Sequence, residues 1–393
     1  MEIEGKDRSI FGVVAVGSAV ALSLFGDMAM YVILPVQYAE LGLSAIQVGV
    51  LLSANRWVRL VTNQVAERML RRYSGKVLFP AALLIGSILA AAYSTAPAFV
   101  VLLVLRMVWG LCWSFIRHTG VMTTIGIAGS ERAGRLMGIY VGLLQAGFVA
   151  GTFVAGLLFD GTGFRTTFLL AAAMSLAAVP TAVLSSRRSQ VSMRGPRIGY
   201  GQSNTGMLSL AIRGFIVSLV GSGLIMSTLG FLLRNHFGDA VSVGAAVIGV
   251  TTVNGILLAA QHLINGIGSP LFGILIDRHG LLRAQYVGFA ASGAALLALA
   301  VFQSTSLLVP LVIVFFVSAA VSRLAVESQA AVAGPRAYSR LATATDLGAA
   351  IGPVLGWVGI ELAQSGLVFW VGGGFFLAGA VLAFFTRRVA PSV

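Results

Sequence analysis

Eight ionisable side chains interrupt the long apolar runs of this 393-residue chain: Arg56, Arg59, Arg106, Arg117 and Arg323, with Asp27, Glu327 and Asp346. A charge inside an apolar helix is expensive and tends to bind, pair or carry a proton. Asp27 and Tyr31, four residues apart, share a helix face, and a carboxylate half-way along such a helix can load and release a proton. Arg56 and Arg59 share another face, with Asn55 and Asn63 close by. Two like charges that close need a counter-charge, water or a bound anion, and Asp27 is the natural partner. Arg106 and Arg117 fall on one face with Trp109, Gly110 and Trp113 between them. They form a cationic, aromatic wall about 16 Å long. Such a wall suits an anionic or aromatic compound or a partner acid; as plain structure, Arg106 would pin backbone carbonyls and Arg117 would extend to a polar boundary. Arg323 and Glu327, four apart, can pair within one helix and cancel each other. Asp346 faces away from Gly348, Gly352 and Gly356, which by phase pack on a neighbouring helix, so it looks into a cavity or is solvated. His262, beside Gln261 and Asn265, could carry a proton but reads as a packing or hydrogen-bonding residue.

The elements that hold these residues must be membrane helices. Hydrophobic residues make up 58% of the chain and charged ones only 10%, and mean hydropathy is +0.94. At roughly 30 residues per span and loop, the length fits about twelve crossings. The apolar periodicity places them near 10–37, 44–70, 77–96, 98–126, 133–158, 164–185, 207–234, 241–276, 284–303, 306–331, 339–363 and 367–386. The first run is too long for a cleavable signal and reads as the first span. The Arg-, Ser- and Gly-rich segment from Arg187 to Thr205 reads as a flexible linker. The expected fold class is an all-α integral membrane protein, with twelve transmembrane helices in two pseudo-symmetric six-helix bundles. The bundles are 1–186 and 207–393, with a cytoplasmic linker at 187–206.

The net charge of +13 would suit nucleic acid, but its position argues against that. Lys and Arg gather in alternate loops: Lys6 and Arg8, Arg68 to Lys76, Arg132 and Arg135, Arg187 to Arg213, Arg278 and Arg283, Arg336 and Arg340, Arg387 and Arg388. This positive-inside bias puts both termini in the cytoplasm of a plasma (inner) membrane protein. Membrane lipids, through anionic headgroups, are the expected partners of the excess charge. Cys112 is the single cysteine, so no disulfide or multi-cysteine metal site forms within one chain.

Two local patterns recur once per half. Gly273-Ile-Leu-Ile-Asp277-Arg278-His279-Gly280 ends an apolar run in an acid, a base and a turn glycine; Asn63-Gln-Val-Ala-Glu67-Arg68 is a worn copy. Arg135-Leu136 precedes Gly147 and Gly151 as Arg340-Leu341 precedes Gly352 and Gly356, all four pairs at one common offset. A duplicated bundle about an axis along the membrane normal has this signature.

These residues carry a resemblance to the major facilitator superfamily over nearly the whole chain. Gly273-x-Leu-x-Asp277-Arg278-x-Gly280 is similar to that family's loop 8–9 signature, and Glu67-Arg68 resembles its loop 2–3 copy. Arg106-Met-Val-Trp-Gly110 resembles the span-four Arg-x-x-x-Gly motif. Gly348-Ala-Ala-Ile-Gly352-Pro353-Val-Leu-Gly356 resembles the exporter-associated Gly-x-x-x-Gly-Pro motif, here on span eleven rather than span five. Leu34-Pro35-Val36 before Leu41-Gly42 looks like the end of span one in drug–proton antiporters. The resemblance implies a major facilitator fold of the twelve-helix drug/metabolite–proton antiporter branch. It implies that Glu67, Arg68, Asp277, Arg278 and Gly280 gate the cytoplasmic face. No metal-ligand cluster, phosphate-binding loop or nucleophile triad stands out, so no enzyme, cofactor or metal is expected. The expected activity is proton-coupled export of a small molecule by a monomer. Asp27, Tyr31, Arg56, Arg59, Arg106, Trp109, Trp113, Arg117, Glu327 and Asp346 would line the substrate and proton pathway. Uptake of an organic anion by symport, and a protein that moves or senses lipid without ion coupling, are the alternatives.

Overall fold

The computed structural model describes residues 2–73, 75–95, 98–128, 133–186, 204–243, 246–302, 304–362 and 366–389. Nearly all of the expected linker, 187–203, lies outside the described residues. Apolar runs that must satisfy their own backbone groups become helices, and the described chain is helical almost throughout. In order come α1 (Glu2–Ser23), α2 (Phe25–Gln37), α3 (Ala45–Arg72), α4 (Gly75–Tyr93), α5 (Phe99–Ala128), α6 (Ala133–Leu176) and α7 (Ala178–Ser186). Then come α8 (Asn204–Val217), a π-helical segment (Ser218–Ile225), α9 (Met226–Phe237), β1 (Ala240–Val243), β2 (Ala246–Gly249) and α10 (Val250–His279). The last four are α11 (Leu281–Phe302), α12 (Thr305–Ala333), α13 (Pro335–Glu361) and α14 (Leu367–Val389).

Ten segments among the described residues are long and apolar enough to cross a membrane. One of them, Arg135–Val183, has 49 residues, about 70 Å of helix and twice a bilayer core. It bends at Gly163, whose φ of 80° is non-helical, and so has the length of two crossings. Helix α3, at 28 residues, has the length of another, with a hydropathy lowered by Asn55, Arg56, Arg59, Asn63 and Gln64. The protein is all-α and multi-pass, consistent with twelve helices.

One expected boundary is corrected. The apolar run from 241 reads as the start of a helix, but β1 pairs with β2 there and α10 begins only at Val250. Ala-Val-Ser-Val and Ala-Val-Ile-Gly carry β-branched residues that fit a pleated ribbon, and in so short an apolar run periodicity does not separate strand from helix.

The chain forms two compact units. The first comprises Met1–Leu41, Trp57–Pro196 and Val241–His262; the second comprises Gly42–Arg56, Arg197–Ala240 and Leu263–Val393. Helices α3 and α10 therefore each contribute one portion to either unit. In the first unit, α6 packs on α1, α2 and α4. Glycine makes that possible: a Cβ on Gly147 would lie 2.6 Å from the Ala21 backbone. In the second, α11 packs on α12 and α14, and α13 on α8 and the π-helical segment. Phe289 and Phe315 both pack on Phe376 in tilted and edge-on contacts, with centroids 5.4 and 5.5 Å apart.

Candidate functional site

In the first unit, Gly26 of α2 lies against Ala90 of α4, where an added Cβ would come within 2.7 Å of the alanine methyl. That close approach brings Asp27 toward Tyr93, about one turn beyond Ala90 on the same face. From α5, Arg106 completes the group: its Nη1 donates to Asp27 Oδ1. The Arg106 side chain is fully buried and that of Asp27 is 10% exposed. Arg106 Cζ also lies 5.5 Å from the Tyr31 ring centroid, within cation–π reach. The Tyr93 hydroxyl is buried with no well-formed hydrogen bond. Of the three arginines open to Asp27 as a partner, Arg56, Arg59 and Arg106, the ion pair is with Arg106, since the Gly26–Ala90 contact turns Asp27 toward α4 and α5. A buried ion pair is costly to break by halves. A proton arriving on the carboxylate, or an anion arriving at the guanidinium, would change a single local charge balance.

Trp109 and Trp113 extend this wall, both buried, with ring centroids 6.1 Å apart. Trp109 packs over Gly86, where a Cβ would lie 2.7 Å from its ring. Arg117 ends the same face and is exposed.

Arg56 has a different role. Its Nη1 donates to the carbonyls of Ser222 and Ala349, each at 2.8 Å. Two turns earlier, a Cβ on Gly49 would lie 2.9 Å from Trp357 and 3.0 Å from the Pro353 carbonyl. The first portion of α3 is therefore fastened to α13 and the π-helical segment. The first portion of α10 is fastened within the other unit: Asn254 Nδ2 donates to the Val32 carbonyl at 2.9 Å. Asp160 Oδ2 accepts from the Thr252 backbone N–H at 2.7 Å, a cap supplied to the start of α10 by α6. Gly156 and Gly255 bring the two backbones together there. His262 stacks on Phe148 at 4.7 Å between ring centroids. Arg59 and Asp346 are half-buried.

The second unit holds a cavity of about 200 Å³ with Ser218, Ser222, Arg323, Glu327 and Thr345 on its wall. Arg323 donates to Glu327 at 3.1 Å, the side chains being 32% and 37% exposed. Such a pair adds little stability, and it presents both charges to a ligand. One side of this cavity is the π-helical segment, a geometry that frequently marks functional sites. The glycine face of α13 presses on that segment. A Cβ on Gly352 would lie 2.5 Å from Gly223 Cα and 2.7 Å from Leu224 N, and one on Gly356 would lie 2.8 Å from Thr228. Gly348 meets the Phe215 carbonyl, and Pro353 is buried on the same helix.

Arg213 counts by sequence with the basic cluster Arg187 to Arg213 although it falls inside the expected span 207–234, and its side chain is fully buried in α8. It donates to Gln285 Oε1 and to the Ser209 carbonyl; Gln285 in turn donates to Gln329 and to the Ala325 carbonyl. All these partners are neutral. The apolar residues on both sides of Arg213 were the available sign that it lies inside the span. At the turn between α10 and α11, Gly280 takes a φ of 85°. Asp277 and Arg278 are exposed, as are Glu67 and Arg68 on α3, and Asp277 has no ion-pair partner among the described residues.

A family model described as Major Facilitator Superfamily matches residues 16–332. Among curated proteins, the chain is similar to Multidrug resistance protein 1 of Bacillus subtilis (strain 168), 22% identical over 224 residues, covering 54% of this chain and 57% of that protein. The match thus spans a little over half of that relative. Among solved structures, it is similar to a bacterial homolog of the human lysosomal transporter Spinster in an inward-facing and occupied conformation. The TM-score is 0.77 at 16% identity, covering 97% of this chain and 98% of that one. It is also similar to the nucleoside transporter NupG, with a TM-score of 0.73 at 14% identity, covering 97% and 100%. At these identities the likeness to the structures is one of fold.

Proposed function

The chain belongs to the major facilitator superfamily, and from that premise we propose that it is a secondary active transporter that couples proton movement to export of a small organic compound. The observation that supports this most is the buried Asp27–Arg106 pair beneath Tyr31. When Asp27 is ionised it can pair with Arg106 or accept from a donor on the substrate; a proton on Asp27 ends both interactions and releases the substrate. Proton and substrate then exclude one another, which is the logic of antiport. The similarity to a multidrug resistance protein favours export. The Arg323–Glu327 cavity supplies a second polar surface for the compound.

In this reading both termini and the 187–206 linker are cytoplasmic, and the protein is a monomer of the plasma (inner) membrane. The bundles 1–186 and 207–393 rock about the site. Arg56, Asn254 and Asp160 act as latches on the external side, while Glu67, Arg68, Asp277, Arg278 and Gly280 gate the cytoplasmic side.

Six arginines, Arg213 among them, against three acids in the spans favour a second reading, uptake of an organic anion. There a proton on Asp27 frees Arg106 to hold the anion, so proton and substrate travel together. Liposomes with an imposed pH gradient and a panel of anionic, cationic and neutral compounds separate these readings. Antiport predicts accumulation driven against the proton flux, symport accumulation along it. Asp27→Asn, which mimics the protonated acid, should lose acceleration by the gradient in both readings; it should lose exchange of the compound under antiport and retain it under symport. A wild-type response in Asp27→Asn removes Asp27 as the coupling acid, and no response to the gradient in the wild type removes proton coupling altogether.

A further inference from the structure

We propose that the groove where α10 turns into α11 binds a phospholipid with an anionic headgroup. The groove has a volume of about 260 Å³ and is lined by Leu275, His279, Arg283, Ala284, Val287 and Val321. Its floor is apolar: Ala284 and Val321 are buried in one cluster with Ile276 and Ala325. Leu275 and Val287, on the walls, are 45% and 54% exposed. An open apolar groove facing water would be a liability, whereas on membrane-crossing helices an acyl chain fills it.

The rim is basic. The left-handed turn at Gly280 sets His279, at the end of α10, next to Arg283, in the first turn of α11. His279 Nδ1 is 3.0 Å from the Leu275 carbonyl, which directs its other ring nitrogen away from α10. Arg283 is exposed and has no hydrogen-bond or ion-pair partner among the described residues. The turn carries one acid, Asp277, against Arg278 and Arg283, so by count its net charge is positive. A planar guanidinium with all its donors open matches a phosphate oxygen pair. Groove and rim together fit one end of an amphiphile: a chain segment on Leu275, Val287 and Val321, and a phosphate diester at Arg283 and His279. The groove alone would accept any lipid, and the rim selects the anionic ones.

The full chain, purified in detergent, is titrated with phosphatidylglycerol, phosphatidylcholine or glycerol phosphate, and retained lipid is counted by native mass spectrometry. Wild type should retain phosphatidylglycerol in preference to phosphatidylcholine and should not retain glycerol phosphate. Arg283→Gln should weaken phosphatidylglycerol retention roughly fivefold, the worth of one basic group near an anionic headgroup. Val287→Trp should block the groove and lower retention with the charges intact. Unchanged elution on gel filtration checks that each variant is folded. Equal retention of phosphatidylglycerol and phosphatidylcholine, or unchanged retention in both variants, overturns the proposal. Binding of glycerol phosphate as tight as that of the lipid makes this a free-phosphate site and overturns it equally.

Discussion

Removing either member of the Asp27–Arg106 pair leaves the other charge buried and uncompensated. Arg106→Met should therefore lower stability by about 3–5 kcal/mol, as should Asp27→Asn to a lesser degree, and the Asp27→Asn/Arg106→Met double variant should recover much of that loss. Thermal unfolding of wild type, the two single variants and the double variant in one detergent gives the comparison. Additive losses would mean the two groups do not interact. Arg213 provides a contrast, since its partners are the Gln285 amide and the Ser209 carbonyl. Arg213→Met removes a buried charge along with its hydrogen bonds, so it should cost less than Arg106→Met, about 1–3 kcal/mol. The sequence made both acid and arginine visible through their cost in an apolar run. It could not choose among Arg56, Arg59 and Arg106 as the partner, because that choice depends on the approach of α2 to α4 at Gly26 and Ala90. Arg213 was overlooked because a basic neighbourhood and a span end look alike in one dimension.

Helix packing here depends on a few contacts with no spare volume. On α13, a Cβ at Gly352 would stand 2.5 Å from Gly223 Cα, a backbone atom that cannot rotate away. Gly352→Ala should separate α13 from the π-helical segment and abolish transport, with a clear fall in apparent Tm. Gly142→Ala is the matched control, since nothing lies within 4 Å of the added methyl; it should leave both readouts unchanged. Equal behaviour of the two variants would remove the close contact as the cause. The glycine spacing on α13 was legible as a packing face because a helix repeats every 3.6 residues. The π-helical segment it packs on was not, since the apolar run Ser-Leu-Val-Gly-Ser-Gly-Leu-Ile has no period that separates a π-helix from an α-helix. The hairpin at β1 and β2 was hidden for a related reason: a four-residue apolar strand has too few residues to show its period.

At the scale of the molecule, charge placement and hydropathy made the multi-pass fold readable, because both are properties of composition along a line. The exchange of α3 and α10 between the two units was not readable, because a continuous apolar helix gives no sign that its halves have different neighbours. The proposed topology is testable first: tags at residue 195 and at both termini should be cytoplasmic and one near Asp160 external, and external labelling at 195 in intact cells would rule out this arrangement. The division of α3 gives the more demanding prediction. Arg56 holds the first portion of α3 by two bonds to carbonyls, and Asn254 holds the first portion of α10 by one. If these are external latches, that side opens only when they part, and weakening them raises the outward-open population. At the opposite end Asp277 is without an ion-pair partner in this conformation, so Asp277→Asn costs this state nothing and weakens only the alternative. Ser53 lies one helical turn after Gly49 on the face toward α13 and is 1% exposed. A Ser53→Cys reporter, in a background where the buried Cys112 is replaced by alanine, is thus reactive toward an impermeant maleimide only when α3 leaves α13. Arg56→Gln loses one or two charge-assisted bonds, so labelling should rise about tenfold or more. Asn254→Ala should raise it less, and Asp277→Asn should lower it. The opposite signs distinguish a conformational shift from loosening, since a merely destabilised protein would label faster in every variant. If Arg56→Gln and Asn254→Ala both label at the wild-type rate, these contacts are not latches and the rocking of the bundles must be controlled elsewhere.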